Sequence, residues 1–183
     1  IWAGLREEEE HIRDLSYKWT VDKILATPTV TIEGWTYNTE GKHNDPDVDL
    51  VGSDEDTVYK FTYAGMPNGS GDWTNFGEKV PDQAGEYTVQ ATVSASRNYS
   101  GGSSDTYPFI IERAEVKAPS LQNKTYTGAP ENITADVPTS TLYETYQNIG
   151  GTIVGTYEVL LRLTNANNYK WAEEADGVRD TTV

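Results

Sequence analysis

Any chemistry in this chain has to come from carboxylates and aromatic rings, because it holds 29 Asp and Glu, two His and no Cys. The densest carboxylate pattern is Asp45, Asp47 and Asp49, which alternate, so that on an extended chain their side chains share one face. Calcium takes several oxygen ligands, and Asp54, Glu55 and Asp56 lie a turn away. EF-hand spacing is not met, since Gly is missing at the sixth loop position and Glu at the twelfth. Asp45, Asp47 and Asp49 are thus the candidate calcium ligands, weighed against an acidic edge strand that discourages aggregation. No other cofactor is expected. His11 and His43 lie in polar surroundings with no Ser/Asp or HExxH context, which sets aside a triad or a zinc site. Acidic residues abound, yet nothing singles out one pair for glycoside hydrolysis. The expectation is a protein that is not an enzyme.

Aromatic residues are the stronger binding clue. Trp73 and Phe76 fall in a Gly-, Asn- and Ser-rich stretch, Met66 to Gly77, that reads as a tight turn or exposed hairpin loop. A large apolar side chain there has no core to enter by default, and loop aromatics stack on sugars or anchor partners. Trp73 and Phe76 are therefore the candidate binding residues. The competing reading has Trp73 folding back to plug an end of the domain or a junction.

The elements that must hold these residues come in matching sets. Ala84 to Tyr99 reads AGEYTVQATVSASRNY, and seventy positions later Val154 to Tyr169 reads VGTYEVLLRLTNANNY, aligned without a gap. Gly85/Gly155, Tyr87/Tyr157, Val89/Val159, Asn98/Asn168 and Tyr99/Tyr169 are identical pairs. Tyr87, Val89, Ala91 and Val93, like Tyr157, Val159, Leu161 and Leu163, recur with period two and so line one face of a strand. A repeat at fixed spacing is the sequence signature of an array. Further strands are expected at Val30 to Ile32, at Val58 to Tyr63 and at Tyr107 to Ile111. In the second copy they are expected near Val116–Leu121, Ile133–Val137, Leu142–Tyr146 and Thr156–Thr164. Tyr17-Lys18-Trp19-Thr20-Val21 alternates as a strand does and resembles Tyr107-Pro108-Phe109-Ile110-Ile111, ninety positions later. The run Glu7 to Glu10 reads as a solvated loop or short exposed helix. No helical period of useful length follows residue 20.

A net charge of −15 over 183 residues argues against nucleic acid or anionic lipid as a partner. Apolar runs are a few residues long, so membrane insertion is not expected.

The stretch Asp82-Gln83-Ala84-Gly85-Glu86-Tyr87 resembles the D-x-A/G-x-Y tyrosine corner of immunoglobulin-like domains, in which the Tyr hydroxyl ties back to nearby backbone. The order Pro119, Thr125-Tyr126-Thr127-Gly128, Gly155-Thr156-Tyr157-Glu158-Val159, Asn168-Tyr169 is similar to the bacterial immunoglobulin-like repeats of Gram-positive and gut bacterial cell-surface proteins. The first copy departs at Asn38, where that glycine is expected, and has a longer segment before Tyr59. The resemblance implies an all-β chain of tandem immunoglobulin-like β-sandwich domains with Tyr87 and Tyr157 as structural corners. It implies residues 1–26 as the closing strand and loop of a preceding repeat, 27–113 as a first repeat, and 114–183 as a second one lacking its last strand. It implies a non-catalytic extracellular spacer or adhesin stalk on the bacterial surface, or secreted, whose partners are neighbouring repeats. A binding module for glycan or host protein around Trp73 is the alternative, and an accessory domain of a secreted glycosidase a third reading. Some such surface domains carry a covalent Lys–Asn isopeptide bond; Lys60 is the most strand-internal lysine, with no partner identifiable. The chain reads as a fragment cut out of step with its repeat. A missing closing strand would leave a slot that Tyr17, Trp19 and Val21 of another molecule fill, giving head-to-tail strand exchange.

Overall fold

The computed structural model describes residues 16–51, 54, 57–131, 136–148, 150–172 and 180–182. Within them the protein is all-β and sandwich-like, built around two hydrophobic cores.

The first core is centred on β7 (Gly85–Val93), where Tyr87, Val89, Ala91 and Val93 are buried in strict alternation. This is the consequence of period-two burial on a pleated strand with neighbours on both sides. Those neighbours are β5 (Tyr59–Pro67) and β10 (Tyr107–Glu112), both antiparallel to β7. β3 (Trp35–Thr36) runs parallel to β10, and β6 (Thr74–Gly77) closes a hairpin with β5, giving the order β3-β10-β7-β5-β6. β9 (Gly102–Ser103) extends the sheet beside the end of β7. A second layer is the antiparallel pair β2 (Thr29–Thr31) and β4 (Asp47–Asp49), which sends Val30, Ile32 and Val48 onto Tyr63, Tyr87, Phe109 and Ile111. Gly65 on β5 sits directly under the Tyr87 ring, where any side chain would collide with it.

The second core gathers Val116, Val159, Leu161, Leu163 and Trp171. Its strands are β12 (Tyr143–Asn148), β13 (Val159–Leu163) and β15 (Asp180–Thr182), with β13 in the middle and both partners antiparallel. Beside them β11 (Ala114–Val116) runs parallel to β14 (Tyr169–Trp171). The same parallel relation joins β1 (Ile24–Leu25) to β8 (Tyr99–Ser100) at the first core.

Sequence expectations are corrected in three places. Tyr17 to Val21 forms no strand; it is an irregular, exposed stretch, with Trp19 82% accessible. The strand expected over Thr156–Thr164 begins only at Val159. The reason is the same for both: alternation marks a face that can be buried, but a strand needs an adjacent strand to satisfy its N–H and C=O groups. In the second copy the early strand spans Ala114–Val116, not Val116–Leu121. The strand expected at Ile133–Val137 falls mostly outside the described residues; His11, Glu55, Asp56 and the run Glu7 to Glu10 lie outside them altogether. No helix among the described residues is long and apolar enough to cross a membrane.

Candidate functional site

Three places could carry function: the acidic strand, the surface around Trp73, and the junction between the cores.

On β4, Asp47 and Asp49 point outward while Val48 turns inward, because the strand buries one face on the first core. Asp45 lies just before the strand, with its Oδ1 3.6 Å from His43 Nδ1. Among the described residues, no three acidic or histidine side chains converge as a bound cation would require. Asp54 has a different task. It accepts the Ser96 hydroxyl at 2.6 Å and both the Asn98 N–H and side-chain amide at 2.8 Å. These donors, Ser96 foremost, hold its carboxyl below the ordinary range by stabilising the ionised form.

Trp73 and Phe76 part company in the structure. Phe76 is on β6 and packs edge-on against Tyr87, with ring centroids 5.8 Å apart. Trp73 stays 57% exposed in the loop between β5 and β6. It borders an open depression of about 670 Å³ over the outer face of the sheet, together with Trp35, Tyr107, Pro108 and Ile110. Glu86 and Glu112 also line it, so the surface offers apolar rings with carboxylates at the margin. Lys60 is exposed and pairs with Glu78 at 3.2 Å.

The tyrosines of the two sixteen-residue stretches make the same local bond. Tyr87 donates its hydroxyl to Gln83 O at 2.8 Å, and Tyr157 donates to Ile153 O at 2.8 Å, each four residues back. Their surroundings differ sharply. Tyr87 is 2% accessible and stacks on Phe109, whereas Tyr157 is 40% accessible. Burial first, then the charge of Asp82, pushes the Tyr87 hydroxyl up to about 12. Asp82 itself is held low, chiefly by the Gln83 side-chain amide and then by Lys79.

The junction is where a buried polar group does its work. Asn168, 1% accessible, lies between the cores: its Oδ1 accepts the Ala84 N–H at 2.9 Å and its Nδ2 donates to Gln83 Oε1 at 2.6 Å. Its backbone carbonyl accepts the Ala114 N–H at 2.9 Å. The neighbouring Asn167 carbonyl takes Asn68 Nδ2 at 3.0 Å and Arg113 Nε at 3.3 Å. Tyr169 meets Tyr37 edge-on at 5.3 Å, and burial followed by Tyr37 raises its hydroxyl above the ordinary value. Gly69, at φ +81°, brings the β5–β6 loop against the Asn167 side chain. Residues 167–169 thus reach across to the first core and its exit by side chain and backbone alike. Sequence reasoning noted the recurring Asn98/Asn168 pair but gave it no role; its recurrence beside Tyr was the available signal.

No family model, curated protein or solved structure matches this chain.

Proposed function

We propose that the chain is a non-catalytic structural spacer from an extracellular bacterial surface protein, a stalk built of tandem immunoglobulin-like repeats. The observation that carries this reading is the Asn168 junction. Apolar contacts alone let two domains slide or rock, but a side-chain amide bonded both ways in a water-free place fixes direction. A spacer needs that property, because a freely jointed pair would not hold its cargo at a distance. The immunoglobulin-like assignment is supported by a first-strand segment parallel to the last strand, β3 beside β10, and by the tyrosine hydroxyl bonded to the backbone four residues back. In such an array the partners are neighbouring repeats of the same protein.

Small-angle scattering of the 183-residue chain tests the reading. At the dilution where the chain is a single copy, a rigid pair gives one extended particle whose dimensions do not change with salt, and Asn168→Ala broadens its distribution. Scattering from the unmodified chain that fits only a freely jointed pair would refute the spacer.

The exposed ring of Trp73 over its apolar depression favours a second reading, a module that binds glycan or a host surface protein. A glycan and mucin array with the unmodified chain and Trp73→Ala decides between them. Binding that vanishes with the substitution makes recognition the primary role.

A further inference from the structure

Two features are complementary and lack a paired strand among the described residues. The first is a groove of about 560 Å³ in the second core, lined among others by Leu121, Tyr126, Ile153, Val154, Tyr157 and Val159. It lies where β10 covers the first core. There, Phe109 faces Tyr87 and Ile111 faces Gly85 across the β7–β10 ladder, and both apolar side chains are buried. In the second core β15 reaches only part of this way: Thr182 stands opposite Leu160, the counterpart of Gln90. The positions matching Pro108 to Ile111, opposite Gly155 to Glu158, hold no strand among the described residues. Gly155 and Thr156 are exposed as a result, although Gly151 seats the Tyr157 ring much as Gly65 seats that of Tyr87.

The second feature is Tyr17 to Val21, with Tyr17, Trp19 and Val21 all exposed. Its place in the fold is fixed by the next residues along the chain. Ile24 donates its N–H to Asn98 O at 3.0 Å, as Ala114 does to Asn168 O at 2.9 Å. Residues 24–25 therefore pair with β8 as 114–116 pair with β14, and the next residue, Ala26, is buried as Val116 is. Counting back equal steps puts Tyr17–Val21 at the position of β10, with no strand paired to it among the described residues.

We propose that Tyr17–Val21 of a second copy of this chain lies in the groove, antiparallel to Gly155–Glu158, and completes the second core. The register comes from β10. Trp19 stands across from Tyr157 as Phe109 does from Tyr87, and Val21 across from Gly155 as Ile111 does from Gly85. Thr20 meets Thr156. Lys18 meets Glu158, an opposite-charge pair on the outer face, and Tyr17 abuts the end of β15. The contact joins unlike surfaces of the two copies, so it leaves one free donor and one free groove and propagates as an open chain. This inference stands on the strand registers alone and holds whether or not the chain is a spacer.

Cysteine pairing tests it on the full chain, which has no native Cys. Chains carrying both Lys18→Cys and Glu158→Cys, oxidised after purification, give a ladder of disulfide-linked multimers; monomer-sized product alone, looped or unlinked, overturns the proposal. Sedimentation of the unmodified chain gives a mass that climbs with concentration without a plateau, and a mass that stops at two copies overturns the head-to-tail geometry. Trp19→Glu and Thr156→Pro each alter only exposed residues, so both chains keep their folds by circular dichroism and stay monomeric. Mixed in equal amounts they form heterodimers through the one intact donor and the one intact groove, and failure to do so overturns the pairing.

Discussion

Replacing Asn168 by Ala tests the junction directly. The side chain makes two bonds, to Ala84 N–H and Gln83 Oε1, and both cross from the second core to the first. Ala84 is fully buried, so its N–H is left without an acceptor at a cost of about 1–3 kcal/mol. Gln83 is exposed and recovers water, so its lost bond costs about 0.5–1.5 kcal/mol. The expected loss is about 1.5–4.5 kcal/mol, and it falls on the coupling between the cores because the strands of each are untouched. In urea, followed by hydrogen exchange of amides in both cores, the unmodified chain opens in one transition and the variant in two. A double-mutant cycle with Gln83→Ala separates the second bond from the first. Asn168→Asp keeps an acceptor for Ala84 but places a carboxylate in a site closed to water, against Gln83 Oε1. That variant is weaker than the unmodified chain at neutral pH and recovers as acid protonates the new group. A shift under about 0.5 kcal/mol for Asn168→Ala, the range of an ordinary surface change, would refute the claim that this amide couples the cores.

Tyr87→Phe removes a hydroxyl bond inside the first core and costs about 1 kcal/mol in thermal melts, whereas Tyr157→Phe costs close to nothing because water replaces the lost bond. The Tyr87 hydroxyl, raised to about 12, stabilises the fold fully below pH ~10, the ordinary tyrosine value, and that contribution is lost as pH rises toward 12. Absorbance titration of the phenolates, compared with Tyr87→Phe, reads this out as one late-ionising group. Gly65→Ala drives a methyl into the Tyr87 ring and the Glu86 carbonyl and costs about 1–3 kcal/mol by denaturant titration. In the monomeric Trp19→Glu chain, amides of residues 85–89 exchange slowly while those of 155–158 exchange fast, and a peptide spanning Ser16–Lys23 slows the latter; equal protection in that chain without the peptide contradicts the open groove.

The alternation of Tyr87, Val89, Ala91 and Val93 made both the strand and its buried face legible in advance, as did the turn between β5 and β6. What alternation cannot carry is the supply of neighbours. Tyr157 has the same spacing as Tyr87 and the same bond four residues back, yet it stays exposed because, among the described residues, strands flank this segment from Val159 onward and not before it. Tyr17–Val21 fails to form a strand for that same reason. Phe76 misled in the opposite sense: its Gly- and Asn-rich stretch contains a short strand, and β6 turns the ring onto the first core. Asn168 was visible as a recurrence, but a buried amide and an exposed one look alike until the partner surfaces, here Gln83 and Ala84, are in place. The three aspartates at 45, 47 and 49 were legible as one acidic face, and β4 does hold Asp47 and Asp49 outward.

The acidity and the open groove bear on the same problem. A chain with an exposed strand edge and an exposed apolar segment risks pairing with anything extended. Here most such pairings are opposed by charge: the molecule carries −15 overall, and the short β4 exposes Asp47 and Asp49 along its length. Lateral contact between like surfaces therefore brings carboxylates together. The proposed head-to-tail contact is the exception, since the register that would bury Trp19 against Tyr157 would also set Lys18 against Glu158. Screening by salt weakens the repulsion that opposes every wrong pairing, while the burial of Trp19 is left intact. Repulsion spread over the surface and attraction confined to one register together select a single direction of growth. Neither term could do so alone, because apolar burial rejects one-residue slips but leaves two-residue slips open, and charge alone favours dispersal.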